Sequence, residues 1–244
     1  MIQQPPEYHF RTIPTDESLP DIPMGVPTLK YEAPTLGVNY WVEDNLFTPA
    51  QLKVISNRGF NQKKWRMGLP YTAEKWPGMR ANKALKADEL QHLEQWVKEQ
   101  TGSSKLWVEQ PEGKPRLDSN VIQLIGKSES GPLPHTDSIS LCRYAAVIYL
   151  SPEPKSNSGT AFYRLRYPNG AAGGNMVTPP ANNLRDALNV KNLPPDAWYE
   201  DCVVENKFGR VLLYKSNMVH SATGYFGKEK RDKRMTALFF WLAE

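Results

Sequence analysis

Residues 131–151 read GPLPHTDSISLCRYAAVIYLS: a histidine and an aspartate one residue apart, followed by an apolar run ending in Tyr149-Leu150. The run is strand-length, well short of the roughly 18–20 apolar residues that cross a bilayer. Further on, and just before it, the same texture recurs. NVIQLIG (120–126), GTAFYRLR (159–166), WYEDCVVENKFG (198–209), RVLLYKS (210–216) and MTALFFWLA (235–243) are short runs rich in Val, Ile, Tyr and Phe, set between Gly, Pro, Asn and Ser clusters. Six such runs with turn signals between them predict a β sandwich or barrel over the C-terminal half. One stretch interrupts them: 168–195, PNGAAGGNMVTPPANNLRDALNVKNLPP, is too long for a turn and holds only a short helical pattern around Leu184–Leu188. Insertions of this length often cover active sites.

Upstream, the texture changes. Residues 1–35 are proline-rich without periodicity and predict an extended arm lying over a domain. FTPAQLKVISN (47–57) starts a helix, with Thr48 as N-cap and Pro49 at the first helical position. KADELQHLEQWVKEQTG (86–102) is a stronger helix, placing Leu90, Leu93, Trp96 and Val97 on one face and stopping at Gly102. The predicted class is mainly β with flanking helices (α+β). An arm over 1–35 and a helical support region over 36–118 are expected to pack on a core over 119–244, the whole forming one compact domain, as 244 residues allow.

Composition narrows the function classes. The chain is 40% hydrophobic and 23% charged, which fits a globular protein with a sizeable core. A net charge of +4, whose most basic stretch GKEKRDKR (227–234) is diluted by Glu229 and Asp232, counts against a nucleic-acid partner. The start, MIQQPPEYHF, lacks the basic and apolar regions of a signal peptide. Cys142 and Cys202 have no CxxC spacing and read as reduced core residues, so a cytoplasmic location without membrane attachment is expected.

The chain has four histidines. His135 and Asp137, at i and i+2 on the start or edge of a strand, would point to the same face and reach one metal ion together. A third ligand must come from elsewhere. His9 lies in the arm and His92 on the flank of a helix, whereas His220 follows a strand in the β region. Two imidazoles and a carboxylate, with coordination positions left open, suit non-haem Fe(II) and an oxidant. Fourteen residues past His220, Arg234 opens the last strand, with Thr236 on the same face. A guanidinium there would hold a carboxylate in a bidentate grip.

The order HxD, distal His, then Arg resembles the Fe(II)- and 2-oxoglutarate-dependent dioxygenases, especially their prolyl-hydroxylase-like branch. RYAAVIYLS (143–151), SGTAFYR (158–164) and NKFGRVLLYKSNMVHSA (206–222) are similar to that branch's strands in the same order. The resemblance covers about residues 119–244 and implies a double-stranded β-helix, the jelly-roll or cupin-like barrel. It implies that His135, Asp137 and His220 bind Fe(II), that Arg234 and Thr236 hold 2-oxoglutarate, and that Tyr149 or Tyr144 adds a hydrogen bond. In that branch a lysine often takes the co-substrate, and Lys230 and Arg231 sit at the matching distance. Arg234 is preferred because alternation can aim it inward. The implied reaction consumes O2 and 2-oxoglutarate, hydroxylates a C–H bond and releases succinate and carbon dioxide. Asp137 favours hydroxylation over halogenation, since related halogenases lack the carboxylate. The substrate, a small molecule or a peptidyl side chain, is left open. Arg80 and Trp76 in KWPGMRA (75–81), together with Arg143, are candidates to touch it, and Trp65, Tyr71 and Trp107 are further aromatics for an entrance. The competing readings are a jelly-roll binding protein without turnover and a cupin-type metalloenzyme without 2-oxoglutarate. Nothing in the sequence indicates an oligomer.

Overall fold

Residues alternate along YAAVIY, and the two sets have different destinations. In a computed structural model, which describes residues 8–10, 20–22, 24, 25, 27–67, 70, 71, 74, 75, 78–109, 118–190 and 192–244, Tyr144, Ala146 and Ile148 face a layer of helices. Ala145, Val147 and Tyr149 face the interior of a barrel. A strand buried on both faces has to be apolar on both, which is why this run shows no polar alternation.

The described strands are β1 (Tyr8–Phe10), β2 (Tyr40–Glu43), β3 (Arg66–Met67), β4 (Pro70–Tyr71), β5 (Glu74–Lys75), β6 (Met79–Asn82) and β7 (Leu106–Trp107), followed by β8 (Val121–Ile125), β9 (Tyr144–Tyr149), β10 (Thr160–Leu165), β11 (Trp198–Val204), β12 (Val211–Lys215), β13 (His220–Ala222) and β14 (Arg234–Ala243). The helices are α1 (Pro49–Phe60), α2 (Ala87–Thr101) and α3 (Leu184–Leu188). The larger sheet runs β2-β12-β9-β14-β8-β6-β3, with β7 also on β14. The smaller runs β1-β11-β10-β13, and the bridge between His220 and His135 carries it one strand-width further. Among the described residues the paired strands run antiparallel, and the two sheets close on Phe162, Cys202, Val204, Leu212 and Tyr214. This is the expected double-stranded β-helix.

Helices α1 and α2 cover the outer face of the larger sheet, packing Leu52, Ile55, Phe60, Leu93, Trp96 and Val97 on Ile122, Leu213, Met235 and Phe239. Both termini follow their residues. Thr48 and Gln51 form a reciprocal capping box with Pro49 at N1, and Gly102 ends α2 at φ 70°. Gly59 allows α1 to lie close on the sheet, because a Cβ there would come within 2.8 Å of Met235 Sδ. On the smaller sheet's outer face, Tyr167 and the insertion's Ala171, Val177 and Leu188 pack with Leu29 over Ala161, Tyr163, Leu165 and Val203.

The region 36–118 differs from its reading as helical support. Besides two helices it supplies β2, β3, β6 and β7, which widen the larger sheet. These strands are two to four residues long, too short to display a period of two. Cys142 and Cys202 are free and buried, as expected. Among the described residues no helix is long and apolar enough to cross a membrane.

Candidate metal centre

His135, Asp137 and His220 come together inside the barrel, their ligand atoms all within 4.8 Å of one another. The HxD segment is less regular than a strand start. His135 alone forms a bridge, exchanging N–H···O bonds of 3.0 and 2.9 Å with His220, and the Asp137 amide donates to Ser216 O at 3.0 Å. Between them, Thr136 turns outward, and its hydroxyl accepts the Leu184 amide of the insertion at 2.9 Å. The i, i+2 placement of the two ligands therefore survives without a continuous ladder.

Hydrogen bonds fix the imidazole tautomers. His135 Nδ1 lies 2.7 Å from Leu133 O, and His220 Nδ1 lies 2.8 Å from Met218 O. A carbonyl only accepts, so each Nδ1 carries the proton and each Nε2 keeps its lone pair. Burial pushes the His135 pKa down to about 4 against the opposing bond to Leu133, with Arg80's charge adding to the fall. Burial, then the neighbouring His135, holds His220 well below the usual histidine range. Both rings are therefore neutral, the form that ligates metals. Asp137 Oδ2 is buried with no hydrogen-bond partner among the described residues, and stands 3.9 Å from His220 Nε2. Burial raises the Asp137 pKa to about 7, opposed by Arg80. Two lone pairs and an unsatisfied carboxylate oxygen converging on one point make a donor set that fits a divalent cation.

A polar row crosses the barrel wall beside these groups. Arg80 is opposite Gln123, Gln123 opposite Thr236, and Thr236 opposite Tyr149, all on the interior face. Thr236 Oγ1 is 3.5 Å from Gln123 Oε1, and the Tyr149 hydroxyl donates to Thr160 Oγ1 at 2.7 Å. Arg234 is 4% exposed. Its Nε and Nη2 donate to Ser158 O and Gly159 O at 2.7 and 3.3 Å, and its guanidinium lies 5.5 and 5.7 Å from the rings of Tyr149 and Tyr225. Among the described residues these carbonyls and ring faces are its partners, and neither carries a negative charge to neutralise it. Arg80 is also buried, with Nη1 3.9 Å from Asp118 Oδ2, while Arg66 binds the other Asp118 oxygen at 2.5 Å.

Other expected residues lie elsewhere. Tyr144 turns the opposite way from Tyr149, because five residues separate them on one strand. It packs edge-on against Trp41 in the helix-side core, which removes it as a partner for a ligand in the barrel. Arg143 is exposed, its guanidinium over the Tyr144 ring, and so stands outside the barrel. Lys230 and Arg231 are exposed over Trp65 and Phe60. Trp107 pairs with the end of β14 beneath Lys105. Trp76 lies outside the described residues, as does the side chain of Tyr71. A cleft of ≈ 300 Å³ beside α2, lined by Asn82, Leu90, Glu94, Asp118 and Trp241, is separate from the histidines.

Tyr214, whose hydroxyl is 3.1 Å from His220 Nε2, and Gln123 of the polar row do not stand out in the sequence. Both sit inside apolar runs. The one available signal was parity, which places Tyr214 with Leu212 on the interior face.

A family model described as a family of unknown function, DUF6445, matches residues 70–240. No curated protein matches the chain. Among solved structures, the non-haem alpha-ketoglutarate-dependent carbocyclase SnoK from nogalamycin biosynthesis is 12% identical with a TM-score of 0.51, over 83% of this chain and 79% of that one. HygX from Streptomyces hygroscopicus, solved with nickel, 2-oxoglutarate and hygromycin B, is 15% identical with a TM-score of 0.50, over 83% and 82%. At these identities the likeness is one of fold.

Proposed function

The chain belongs to the DUF6445 family, whose function is unknown, and we propose that it is a non-haem Fe(II)- and 2-oxoglutarate-dependent oxygenase that hydroxylates a C–H bond of a small-molecule substrate. The observation that carries this reading is the convergence of His135, His220 and the unpartnered oxygen of Asp137 within 4.8 Å. The solved structures of similar fold support it by what their titles state: alpha-ketoglutarate dependence for SnoK, and bound nickel, 2-oxoglutarate and hygromycin B for HygX. The order of site residues favours the prolyl-hydroxylase-like branch.

Nε2 of His135, Nε2 of His220 and a carboxylate oxygen of Asp137 would hold the metal. Bound Fe(II), with O2 and 2-oxoglutarate, supplies the oxidising power, one oxygen atom going to succinate as carbon dioxide leaves and the other to the substrate hydroxyl. The chain's own groups bind and orient. Arg234, a buried cation whose partners among the described residues are carbonyls and rings, is the anchor for the distal carboxylate of 2-oxoglutarate, with Thr236 and Tyr149 beside it on the interior face. Arg80 enters the same face at the end of the polar row and would meet an anionic group of the substrate. Val147, Phe162 and Leu212 wall the barrel and exclude water. The two free, buried cysteines fit a reducing, cytoplasmic setting.

Succinate release from 2-oxoglutarate, followed with Fe(II) and with Zn(II), tests the reading. Turnover is expected with Fe(II) only and is lost in Asp137→Ala; persistence in that variant would remove the triad from the mechanism. Arg234→Ala is expected to weaken 2-oxoglutarate binding by about 100-fold in calorimetry, the scale of a charge-assisted carboxylate grip, while Lys230→Ala binds as the parent does.

A further inference from the structure

Tyr214 belongs to the strand that faces the triad. Its ring is 4.5 Å from the His220 ring and 5.7 Å from that of Phe162, and the side chain is 4% exposed. Its hydroxyl lies 3.1 Å from His220 Nε2. His220 Nδ1 already gives its proton to Met218 O, so Nε2 has only a lone pair to offer and the phenol must be the donor. A nitrogen has one such lone pair. The bond from Tyr214 and the bond to a metal ion therefore exclude each other.

We propose that Tyr214 is a positioning residue of the metal centre: its O–H caps the ligand nitrogen of His220 in the metal-free chain and turns to an anionic oxygen beside the metal once the ion is bound. The inference rests on the metal-centre reading above and deepens it. Two consequences follow from the chemistry. The phenol competes with the metal for Nε2, so the free chain binds metal more weakly than an uncapped triad would. After loading, the released O–H is buried and needs an acceptor, and the negative oxygens of 2-oxoglutarate are the nearest chemistry the site is built to receive. Tyr214 thereby couples metal loading to co-substrate binding with a positive sign: co-substrate tightens the metal by relieving an unsatisfied donor, and the metal tightens the co-substrate by the same factor.

Tyr214→Phe keeps the ring contacts and deletes only the hydroxyl. The test is a titration of the purified chain with Co(II), read by its visible absorption, with and without 2-oxoglutarate. In the variant, Co(II) alone is expected to bind about fivefold tighter, the equilibrium equivalent of one net neutral hydrogen bond, and the extra tightening caused by 2-oxoglutarate is expected to shrink by a similar factor. Tyr40→Phe, which removes a hydroxyl from the same apolar interior near Cys202, serves as the comparison and should leave Co(II) affinity unchanged. Unchanged or weaker Co(II) binding in Tyr214→Phe overturns the proposal, as does an equal gain in Tyr40→Phe. Parent protein that takes up Co(II) and 2-oxoglutarate while Tyr214→Phe behaves identically refutes the Tyr214 role alone. Parent protein that takes up neither refutes the metal centre itself.

Discussion

Asp201 has both carboxylate oxygens buried and without hydrogen-bond partners among the described residues. It is the extra residue of a bulge: Phe162 of β10 faces Cys202, yet Tyr163, the next residue, faces Glu200. The side chain is 5% exposed, and burial raises its pKa to about 7, with the charge of Arg164 opposing. The folded chain therefore holds this proton more tightly than the unfolded chain, where a carboxyl titrates near 3.8. Stability from this group is fully present below that value, falls as the pH rises toward 7, and is level beyond it. Asp201→Asn removes the titration while keeping the shape. The variant and parent are expected to melt together near pH 4, with the variant ahead by about 2–4 kcal/mol at pH 8. Chemical denaturation at the two pH values checks it, and a gap that does not open with pH would mean that Asp201 finds donors in solution, water included, which lower its pKa.

At the scale of elements, Glu89 ties α1 to α2. It accepts the Lys86 amide at the start of α2 at 2.7 Å and grips Arg58, in the last turn of α1, through two bonds of 2.6 and 2.7 Å. Arg58 also reaches Ala84 O at 3.0 Å, so the loop between the elements is held as well. The bond to Arg58 holds the Glu89 pKa below the usual glutamate value, against desolvation. This contribution is present above pH ~4.5 and is lost as the pH falls through the lowered pKa. Glu89→Gln is expected to cost about 1.5–3 kcal/mol at pH 7, the range for charge-assisted bonds, and less at pH 3. Denaturation midpoints at both values measure it. The helices themselves were plain in the sequence, since FTPAQ carries its own capping box and Gly102 its own stop. So were the six long strands. The missed strands, such as MRAN of β6 and HSA of β13, are pieces of three or four residues whose pairing is decided by long-range neighbours. The choice between Tyr149 and Tyr144 stays open in the sequence for a related reason: parity separates the two tyrosines, but a run apolar on both faces gives no sign of which face is the interior.

At the scale of the molecule, the centre joins segments 85 residues apart, from His135 to His220. The candidate ligand types and their order stand in the sequence, and alternation puts Arg234 on the same strand face as Thr236, which is opposite Tyr149. Tyr214 was hidden, because a tyrosine in VLLYK reads as ordinary core until the neighbouring nitrogen is placed. The other feature beyond sequence reading is what holds the HxD segment, which has almost no ladder of its own. Asn182, inside the insertion, does much of this: its side-chain carbonyl accepts the Ser140 amide at 2.9 Å, its amide donates to Ser138 Oγ at 2.8 Å, and its backbone carbonyl accepts the Ile139 amide at 2.9 Å. The insertion is thus a splint running from the outer face of the smaller sheet to the residues just past Asp137. Groups that orient ligands from behind commonly change metal affinity about 10–100-fold when lost. Asn182→Ala deletes the two side-chain bonds and keeps the backbone one, so the lower end of that range, about tenfold weaker Co(II) binding, is expected. The same change should lower folding stability by only about 1–2 kcal/mol, since Asn182 is not part of the apolar core. Co(II) titration and chemical denaturation, run on the same preparation, separate the two effects. Lost stability with unaltered metal affinity would make the insertion a cover for the smaller sheet and nothing more, whereas weakened metal binding in a chain of near-parental stability makes it a working part of the centre.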